Sequence, residues 1–257
     1  MSIERAAELL LEARRARRQR GPLPAECVPA DLAQAYAVQD RFVAAQGRTA
    51  GYKIGYTNPA LQRSLGIPSP VFGRLLADRV FASPAALPAS DFAARVIETE
   101  VGVRMARALP PRAAPYTPAE VADAVEVAFP SFELVDSRFA EWRKLSPAEA
   151  IADNVLHSAW VHGAAHPGFR GIDLAALEMV SFRNDREVTR GRGANVLGSP
   201  LLALHWLANA LAQQGRGLAA GDLVTTGCCT DIFEAAPGDR IRADFGALGE
   251  VRVEFPA

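Results

Sequence analysis

The sequence predicts an α+β fold, because helix-like and strand-like segments are interspersed and the strands come in hairpins rather than in βαβ units. The chain has 257 residues, 49% hydrophobic and 22% charged, so it is long enough to bury a sizeable core. A composition shift between residues 75 and 90 predicts a smaller helical α/β region over residues 1–75 and a β-rich region over residues 76–257.

The first element is predicted to be a helix that begins near Ile3 and ends by Gly21, because apolar residues recur at helical spacing. Its last turns carry a run of arginines: Arg14, Arg15, Arg17, Arg18 and Arg20. Such a run is typical of a solvated face with cations near a helix C-terminus, and the alternative is a phosphate- or nucleic-acid-binding patch. The formal net charge of −1 favours the solvated face and argues against general nucleic-acid binding.

Three further elements complete the N-terminal region. A second helix is predicted from its N-cap Asp31 to its stop at Gly47. Residues 50–56 form an apolar strand with Lys53 between two glycines. A short helix follows, capped by Asn58, with proline at its first position and a glycine at its end.

The β-rich region opens with residues 96–105, which alternate with period two and predict a strand. A capping box at Thr117 predicts a helix to about residue 128, and residues 131–136 predict a second strand. A second capping box at Ser146 predicts a helix that Gly163 ends.

The C-terminal part is predicted to contain a hairpin, a helix and three strands. The hairpin spans residues 177–189 and turns at Asn184 and Asp185, and the helix runs from Ser199 to Gly215. The three strands are residues 223–226, 240–245 and 251–255.

Paired carboxylates on one strand are the strongest chemical feature of the sequence. Glu98 and Glu100 lie on one face of their strand, about 6.6 Å apart by the strand rise. Glu133, on the next strand, is the natural third ligand of a common ion. An oxygen-only ligand set suits Mg²⁺ or Mn²⁺, and the alternative is a solvated polar face.

Other chemical signals are weaker. Lys53 either extends to solvent or is held near an anion. His162 and His166 are separated by a helix-breaking glycine, which disfavours a zinc site, and Cys228 and Cys229 are predicted to be small pocket or core residues. No P-loop, G-x-S-x-G elbow or dinucleotide-binding glycine motif is present in the sequence.

The sequence also predicts where in the cell the protein is located. No apolar run approaches the roughly 20 residues of a membrane span, and the first residues lack the order of a signal peptide. Three cysteines, two of them adjacent, predict reduced thiols and a cytoplasmic location.

Several motifs taken together resemble one family, and the resemblance covers about residues 30–257. The motifs are Gly51–Gly55, Glu98–Glu100, Glu133–Arg138, Asp153–Asn154, Val196–Gly198, Trp206–Asn209, Pro237–Asp239 and Asp244–Gly246. In this order they resemble the 2-oxopent-4-enoate hydratase and 4-oxalocrotonate decarboxylase family of the fumarylacetoacetase superfamily.

The resemblance implies a mixed β-roll or barrel-like catalytic domain of the fumarylacetoacetase type. It implies Mg²⁺ or Mn²⁺ held by Glu98, Glu100 and Glu133. It also implies catalytic roles for Lys53, Asp153 and His157. Implied substrate contacts come from five residues: Lys53, Ser158, Leu197, Gly198 and Thr226.

The implied activity is that of a lyase that hydrates a 2-hydroxy-2,4-dienoate, of the 2-oxopent-4-enoate type, in aromatic meta-cleavage catabolism. Alternatives are a decarboxylase of a 2-oxo-3-enedioate, of the 4-oxalocrotonate type, and a catalytically silent structural subunit. Val71 stands where hydratases of this family often carry an acid, and Cys228 stands where a serine is common. The implied partners are a small 2-oxo acid, further copies in a homo-oligomer and a paired pathway enzyme, with neither nucleic acid nor membrane.

Overall fold

The fold is described from a computed structural model that covers residues 2–257. Within these residues the α-helices are α1 (Ile3–Ala16), α2 (Leu32–Ala44), α3 (Pro59–Leu65), α4 (Pro118–Asp123), α5 (Pro147–Ala152) and α6 (Pro200–Gln213). The predicted caps are confirmed: Asp31 caps α2, Asn58 caps α3, and capping boxes at Thr117 and Ser146 open α4 and α5. None of the helices described here is long and apolar enough to cross a membrane.

Two sheets hold the strands of the described chain. The strands are β1 (Thr49–Gly55), β2 (Val71–Leu76), β3 (Val80–Ala82), β4 (Ala85–Ala86), β5 (Val96–Met105), β6 (Val125–Val135), β7 (His157–His162), β8 (Glu178–Arg183), β9 (Arg186–Arg192), β10 (Leu223–Cys228), β11 (Phe233–Glu234), β12 (Arg240–Asp244) and β13 (Glu250–Glu254). The larger sheet has the order β2-β1-β10-β5-β6-β7-β3, with β11 also pairing with β5. The smaller sheet has the order β4-β13-β12-β8-β9. Antiparallel pairs dominate both sheets, which confirms the α+β prediction.

Four neighbouring strands of the larger sheet, β1, β10, β5 and β6, position the candidate site. β5 and β6 pair antiparallel with Glu98 opposite Glu133. β10 lies on the other side of β5 and pairs parallel with β1, where Lys53 is opposite Thr225. The predicted alternation of β5 is confirmed, since Ile97, Val101, Val103 and Met105 are buried in one core and Thr99 is buried beside them. The second face of β5 is covered as well: a Cβ on Gly102 would lie 2.4 Å from the Trp160 ring.

Two predicted helices in the middle of the chain were wrong in extent. The helix at Thr117 ends at Asp123 rather than near residue 128, because Val125 begins the long apolar strand β6. The helix at Ser146 ends at Ala152, and residues 157–162 form β7 instead of helix. Consecutive left-handed residues at 154–156 break the helix before it reaches Gly163.

The N-terminal helices do not form a separate core, because they pack against residues of the rest of the chain. Apolar residues of α1 and α2 form a cluster with Leu76, Phe139 and Ala152. Strands β1 and β2 of the first 75 residues lie in the same sheet as β5, β6 and β10. The division at residue 75 stays a prediction, and the site draws on both sides of it.

Candidate metal centre and active-site cleft

Three carboxylates converge where β5 and β6 pair. One carboxylate oxygen of each of Glu98, Glu100 and Glu133 lies within 4.8 Å of the others. Glu100 and Glu133 are fully buried, whereas the Glu98 side chain is 20% exposed. Glu98 is therefore the member of this carboxylate triad that faces the open cleft.

Glu100 is held from β10. Its Oε2 accepts hydrogen bonds from the Thr225 hydroxyl and from the Gly227 backbone N–H, the latter at 2.7 Å. Its Oε1 has no hydrogen-bond partner among residues 2–257. The two donors thus fix one oxygen and leave the other available as a ligand.

Sequence reasoning missed Thr225 and Gly227 and named Thr226 instead. The Thr226 hydroxyl donates to the Val101 carbonyl at 2.8 Å, away from the triad. Strand alternation places neighbouring threonines on opposite faces, so only the pairing of β10 with β5 identifies the one that contacts Glu100.

Glu133 is held by a cation and an imidazole. Lys53 Nζ lies 3.2 Å from Glu133 Oε2 and 3.9 Å from Glu98 Oε2, and it donates to the Val155 carbonyl at 3.2 Å. His157 Nδ1 lies 3.1 Å from Glu133 Oε1. Lys53 is only 2% exposed, so it is held near anions and does not extend to solvent.

Burial dominates the electrostatics of the triad. Burial raises the pKa of Glu98 and of Glu133 to about 7, although Lys53 opposes the shift in both. Burial and the other two carboxylates raise the pKa of Glu100 as well. Burial alone would lower the pKa of Lys53, but the carboxylates around it raise that pKa and keep the ammonium charged. Burial and the positive charges of Arg14 and Lys53 lower the pKa of His157, so its imidazole is neutral near pH 7.

The residues present fit a divalent metal ion. Three buried carboxylates against one lysine leave two negative charges in excess, which protons or a cation must balance. Glu133 Oε2, like Glu100 Oε1, accepts no hydrogen bond of good geometry within the described chain. Oxygen ligands of this kind suit a hard ion such as Mg²⁺ or Mn²⁺.

A strained turn brings the Val155 carbonyl to Lys53. Asn154, Val155 and Leu156 have φ of 55°, 50° and 61°, a region that a β-branched residue such as valine rarely adopts. The Asn154 side chain holds the turn through two hydrogen bonds to the backbone of Arg74, at 2.7 and 2.9 Å. A Cβ on Gly55 would lie 2.6 Å from Val155 Cγ1, so glycine is required there for the turn to pack on β1.

A cleft of about 440 Å³ opens from Lys53 and Glu98. Most of its walls are apolar, and Arg143 near its rim is already paired with Glu234 at 2.7 Å. The apolar wall residues include Ile54, Leu61, Leu65, Val96, Val135, Trp142, Leu145, Val155, Leu156 and Ile232. The cleft therefore offers Lys53 and Glu98 at its buried end and mostly apolar surface along its length.

The other predicted site residues lie outside this cleft. Asp153 is buried against Arg138, with Oδ1 2.5 Å from Arg138 Nε. Ser158, the residue after His157 on β7, lines a second cavity beside α1 rather than the cleft. The Leu197 N–H donates to the carbonyl of Thr57, a cleft residue, and Gly198 follows it with φ of 87°. The catalytic and substrate-binding roles predicted for these four residues stay predictions.

Replacing His157 with leucine should weaken Mg²⁺ or Mn²⁺ binding by about 10- to 100-fold, since partners that orient a ligand contribute on this scale. His157→Asn keeps an amide donor near the position of Nδ1 and should restore most of the affinity. Calorimetric metal titration of both variants measures the effect. Equal affinity in His157→Leu and the wild type would show that the imidazole does not position Glu133.

Replacing Asp153 with alanine should destabilise the fold by about 3–5 kcal/mol, because Arg138 then keeps a buried charge without its partner. Urea unfolding measures the change. A matched control is Arg190→Met, which breaks the exposed Arg190–Glu187 pair and should leave the midpoint nearly unchanged. If Asp153→Ala unfolded at the same urea concentration as the control variant, the buried Asp153–Arg138 pair would not have the stabilising role expected here.

Comparison with known proteins places this geometry in a family. Residues 65–255 match the family described as fumarylacetoacetate (FAA) hydrolase C-terminal. The chain is 37% identical over 259 residues to 2-keto-4-pentenoate hydratase 1 of Dechloromonas aromatica (strain RCB), covering 99% of this chain and 97% of that protein. It is 32% identical over 204 residues to 4-oxalocrotonate decarboxylase of a Pseudomonas species, covering 79% of this chain and 77% of that one.

A solved structure agrees over the whole chain. The structure of 4-oxalocrotonate decarboxylase from Pseudomonas putida G7, complexed with magnesium and adipate, superposes with a TM-score of 0.90 at 28% identity. The match covers 99% of this chain and 98% of that chain, which confirms the predicted fumarylacetoacetase-type fold. The chain therefore belongs to the fumarylacetoacetate hydrolase family, in the group that includes 2-keto-4-pentenoate hydratases and 4-oxalocrotonate decarboxylases.

Proposed function

We propose that this protein is a metal-dependent hydro-lyase that converts a 2-hydroxy-2,4-dienoate into a 4-hydroxy-2-oxo acid. The carboxylate triad with Lys53 at the closed end of an apolar cleft is the observation that carries the proposal. The 37% identity to a 2-keto-4-pentenoate hydratase over nearly the full length of both chains supports this choice among lyases.

The residues of the site have three roles: to hold the metal ion, to supply positive charge and to position the carboxylates. Glu98, Glu100 and Glu133 would hold Mg²⁺ or Mn²⁺, which when bound supplies Lewis acidity toward the carboxylate and 2-oxo oxygens of a substrate. The Lys53 ammonium adds a fixed positive charge beside the same end of the cleft, where enolate charge develops. Thr225, Gly227 and His157 keep the carboxylates in place before substrate arrives.

The reaction requires two proton transfers and one addition of water. The dienol loses the proton of its 2-hydroxyl group and gains one at the end of the diene, which gives the conjugated ketone. Water then adds across the remaining double bond, with hydroxyl at C4 and hydrogen at C3. The apolar walls hold the hydrocarbon tail and limit the water in the cleft.

A second candidate is decarboxylation of a 2-oxo-3-enedioate, and Val71 favours it. Val71 is buried against Ala35, Ile151 and Val155, so no acid lies at the position where hydratases of the family often carry one. The similarity to a 4-oxalocrotonate decarboxylase is in line with this alternative. A silent structural subunit is disfavoured because the triad keeps its full set of supporting contacts.

Ultraviolet turnover assays with Mg²⁺ or Mn²⁺ separate the two candidates. We expect the absorbance of 2-hydroxypenta-2,4-dienoate to disappear with formation of a 4-hydroxy-2-oxo acid. We expect 4-oxalocrotonate to release carbon dioxide at a rate at least about tenfold lower, a difference of about 1.4 kcal/mol in activation free energy. Faster carbon dioxide release than hydration would reverse the assignment, and turnover of neither substrate would reject both.

We further propose that the protein works in the cytoplasm as a homo-oligomer, with a paired pathway enzyme as its partner. Cys27, Cys228 and Cys229 are free thiols in the structure, which suits a reducing compartment. Light scattering during size-exclusion chromatography measures the oligomeric state, and a monomer at assay concentration would contradict the proposal.

A further inference from the structure

A second cavity, of about 280 Å³, lies beside α1 and shares no lining residue with the active-site cleft. We call it the arginine cavity because five of its lining residues are Arg14, Arg15, Arg17, Arg79 and Arg138. The arginine run at the end of α1 thus contributes Arg14, Arg15 and Arg17 to a concave surface, rather than forming only a solvated face.

The acidic residues of this cavity do not neutralise it. Five arginines face three lining aspartates and Asp153, which pairs with Arg138, and this leaves one positive charge in excess. Asp91 is paired with Arg17 at 3.0 Å, and Asp136 accepts the backbone N–H groups of Ala93 and Ala94. The third, Asp78, is exposed to solvent.

Two guanidinium groups retain unused donors. Arg138 is 3% exposed, and its Nη1 has no hydrogen-bond partner in the described chain although Nε binds Asp153. Arg14 donates to the His157 carbonyl at 3.2 Å and forms no ion pair within residues 2–257. Burial, together with the positive charges of Arg138 and Arg79, lowers the pKa of Arg14 to about 9. The arginines of the cavity therefore have fewer negative charges and hydrogen-bond acceptors around them than they could bind.

We propose that the arginine cavity binds a small multivalent oxyanion, either inorganic phosphate or a short dicarboxylate. Guanidinium forks bind such oxygens through paired, charge-assisted hydrogen bonds, and the unpartnered Nη1 of Arg138 supplies a donor that the protein itself does not satisfy. The volume admits an anion of this size. The site is separate from the active-site cleft, because the two share no lining residue, and it goes beyond the proposed function.

Isothermal titration at fixed ionic strength, with inorganic phosphate in one arm and malonate in the other, tests this site in the full-length protein. We expect saturable binding with one site per chain, weakened at least tenfold in Arg14→Met and Arg79→Met. Arg18→Met is the matched control, since Arg18 lies on the same arginine run but does not line the cavity, and it should bind within twofold of wild type. Lys53→Met should also bind as wild type, which separates this site from the active-site cleft.

The two arms identify the anion. Binding of phosphate alone assigns a phosphate site, binding of malonate alone assigns a dicarboxylate site, and binding of both supports the shared chemistry. If Arg14→Met does not fold, by near-ultraviolet circular dichroism, Arg15→Glu at the exposed rim should weaken binding by charge reversal. No saturable binding of either anion would overturn the proposal, as would binding lost in Lys53→Met and kept in the cavity variants.

Discussion

Replacing any one of Glu98, Glu100 and Glu133 with glutamine should abolish turnover that depends on Mg²⁺ or Mn²⁺ and leave the fold intact. Glutamine keeps the shape of the side chain and removes a charge that the cation requires. At Glu100 the argument is most specific. The amide oxygen of glutamine can still accept from Thr225 and Gly227, and its NH₂ group then points at the other ligands in place of the unpartnered Oε1.

Metal-free stability distinguishes loss of a ligand from loss of the fold. Because the triad holds two negative charges in excess, each glutamine variant should be at least as stable as the wild type without metal. Metal should then raise the melting temperature of the wild type but not that of the variants. Glu126→Gln, an exposed change on β6, is the matched control and should behave as the wild type. Full activity after chelation, or in two of the three variants, would reject the metal site.

The second large effect is expected at Lys53. Lys53→Met should lower kcat/KM by about 10²-fold or more, because a charge-assisted hydrogen bond to a desolvated oxyanion contributes about 1.5–3 kcal/mol. This range corresponds to roughly a tenfold to 150-fold change, and the loss is greater if the bond tightens in the transition state. Methionine keeps most of the packing of the stem, so the loss should be electrostatic.

Measured metal affinity distinguishes the role of Lys53 from that of the three carboxylate ligands. Lys53 repels a cation at the triad, so its removal should leave metal binding intact or strengthen it, opposite to the glutamine variants. Arg104→Met removes a half-buried cation of β5 that is paired with Glu126 rather than with the triad, and it is the matched control. A kcat/KM of Lys53→Met within about threefold of the wild type, on the scale of exposed charges, would reject the proposed role.

The ligands could be predicted from the sequence because their relation is local. Strand alternation places Glu98 and Glu100 on one face whatever the partner strands are, and Glu133 lies on β6, the next strand along the chain, which pairs antiparallel with β5. The caps at Asp31, Asn58, Thr117 and Ser146 were predictable for the same reason.

The supporting contacts depend on distant pairing and could not be predicted in this way. Thr225 contacts Glu100 because β10 lies beside β5, a neighbour that no local pattern indicates. The left-handed turn at residues 154–156 arises from packing against Gly55 and Arg74, which overrides the helical pattern that begins at Ser146. A bulge where β7 pairs with β6 also breaks the alternation by which the faces of His157 and Ser158 would be assigned from sequence.

The parallel pairing of β1 with β10 has a consequence for biosynthesis. Lys53 leaves the ribosome long before Thr225 and Gly227, so a nascent chain that ends before β10 has the three carboxylates but neither the donors for Glu100 nor the strand between β1 and β5. Both edges then remain unpaired, and such edges promote aggregation. We expect chains truncated before β10 to be captured by chaperones or proteases, so that the metal centre assembles only once synthesis is nearly complete.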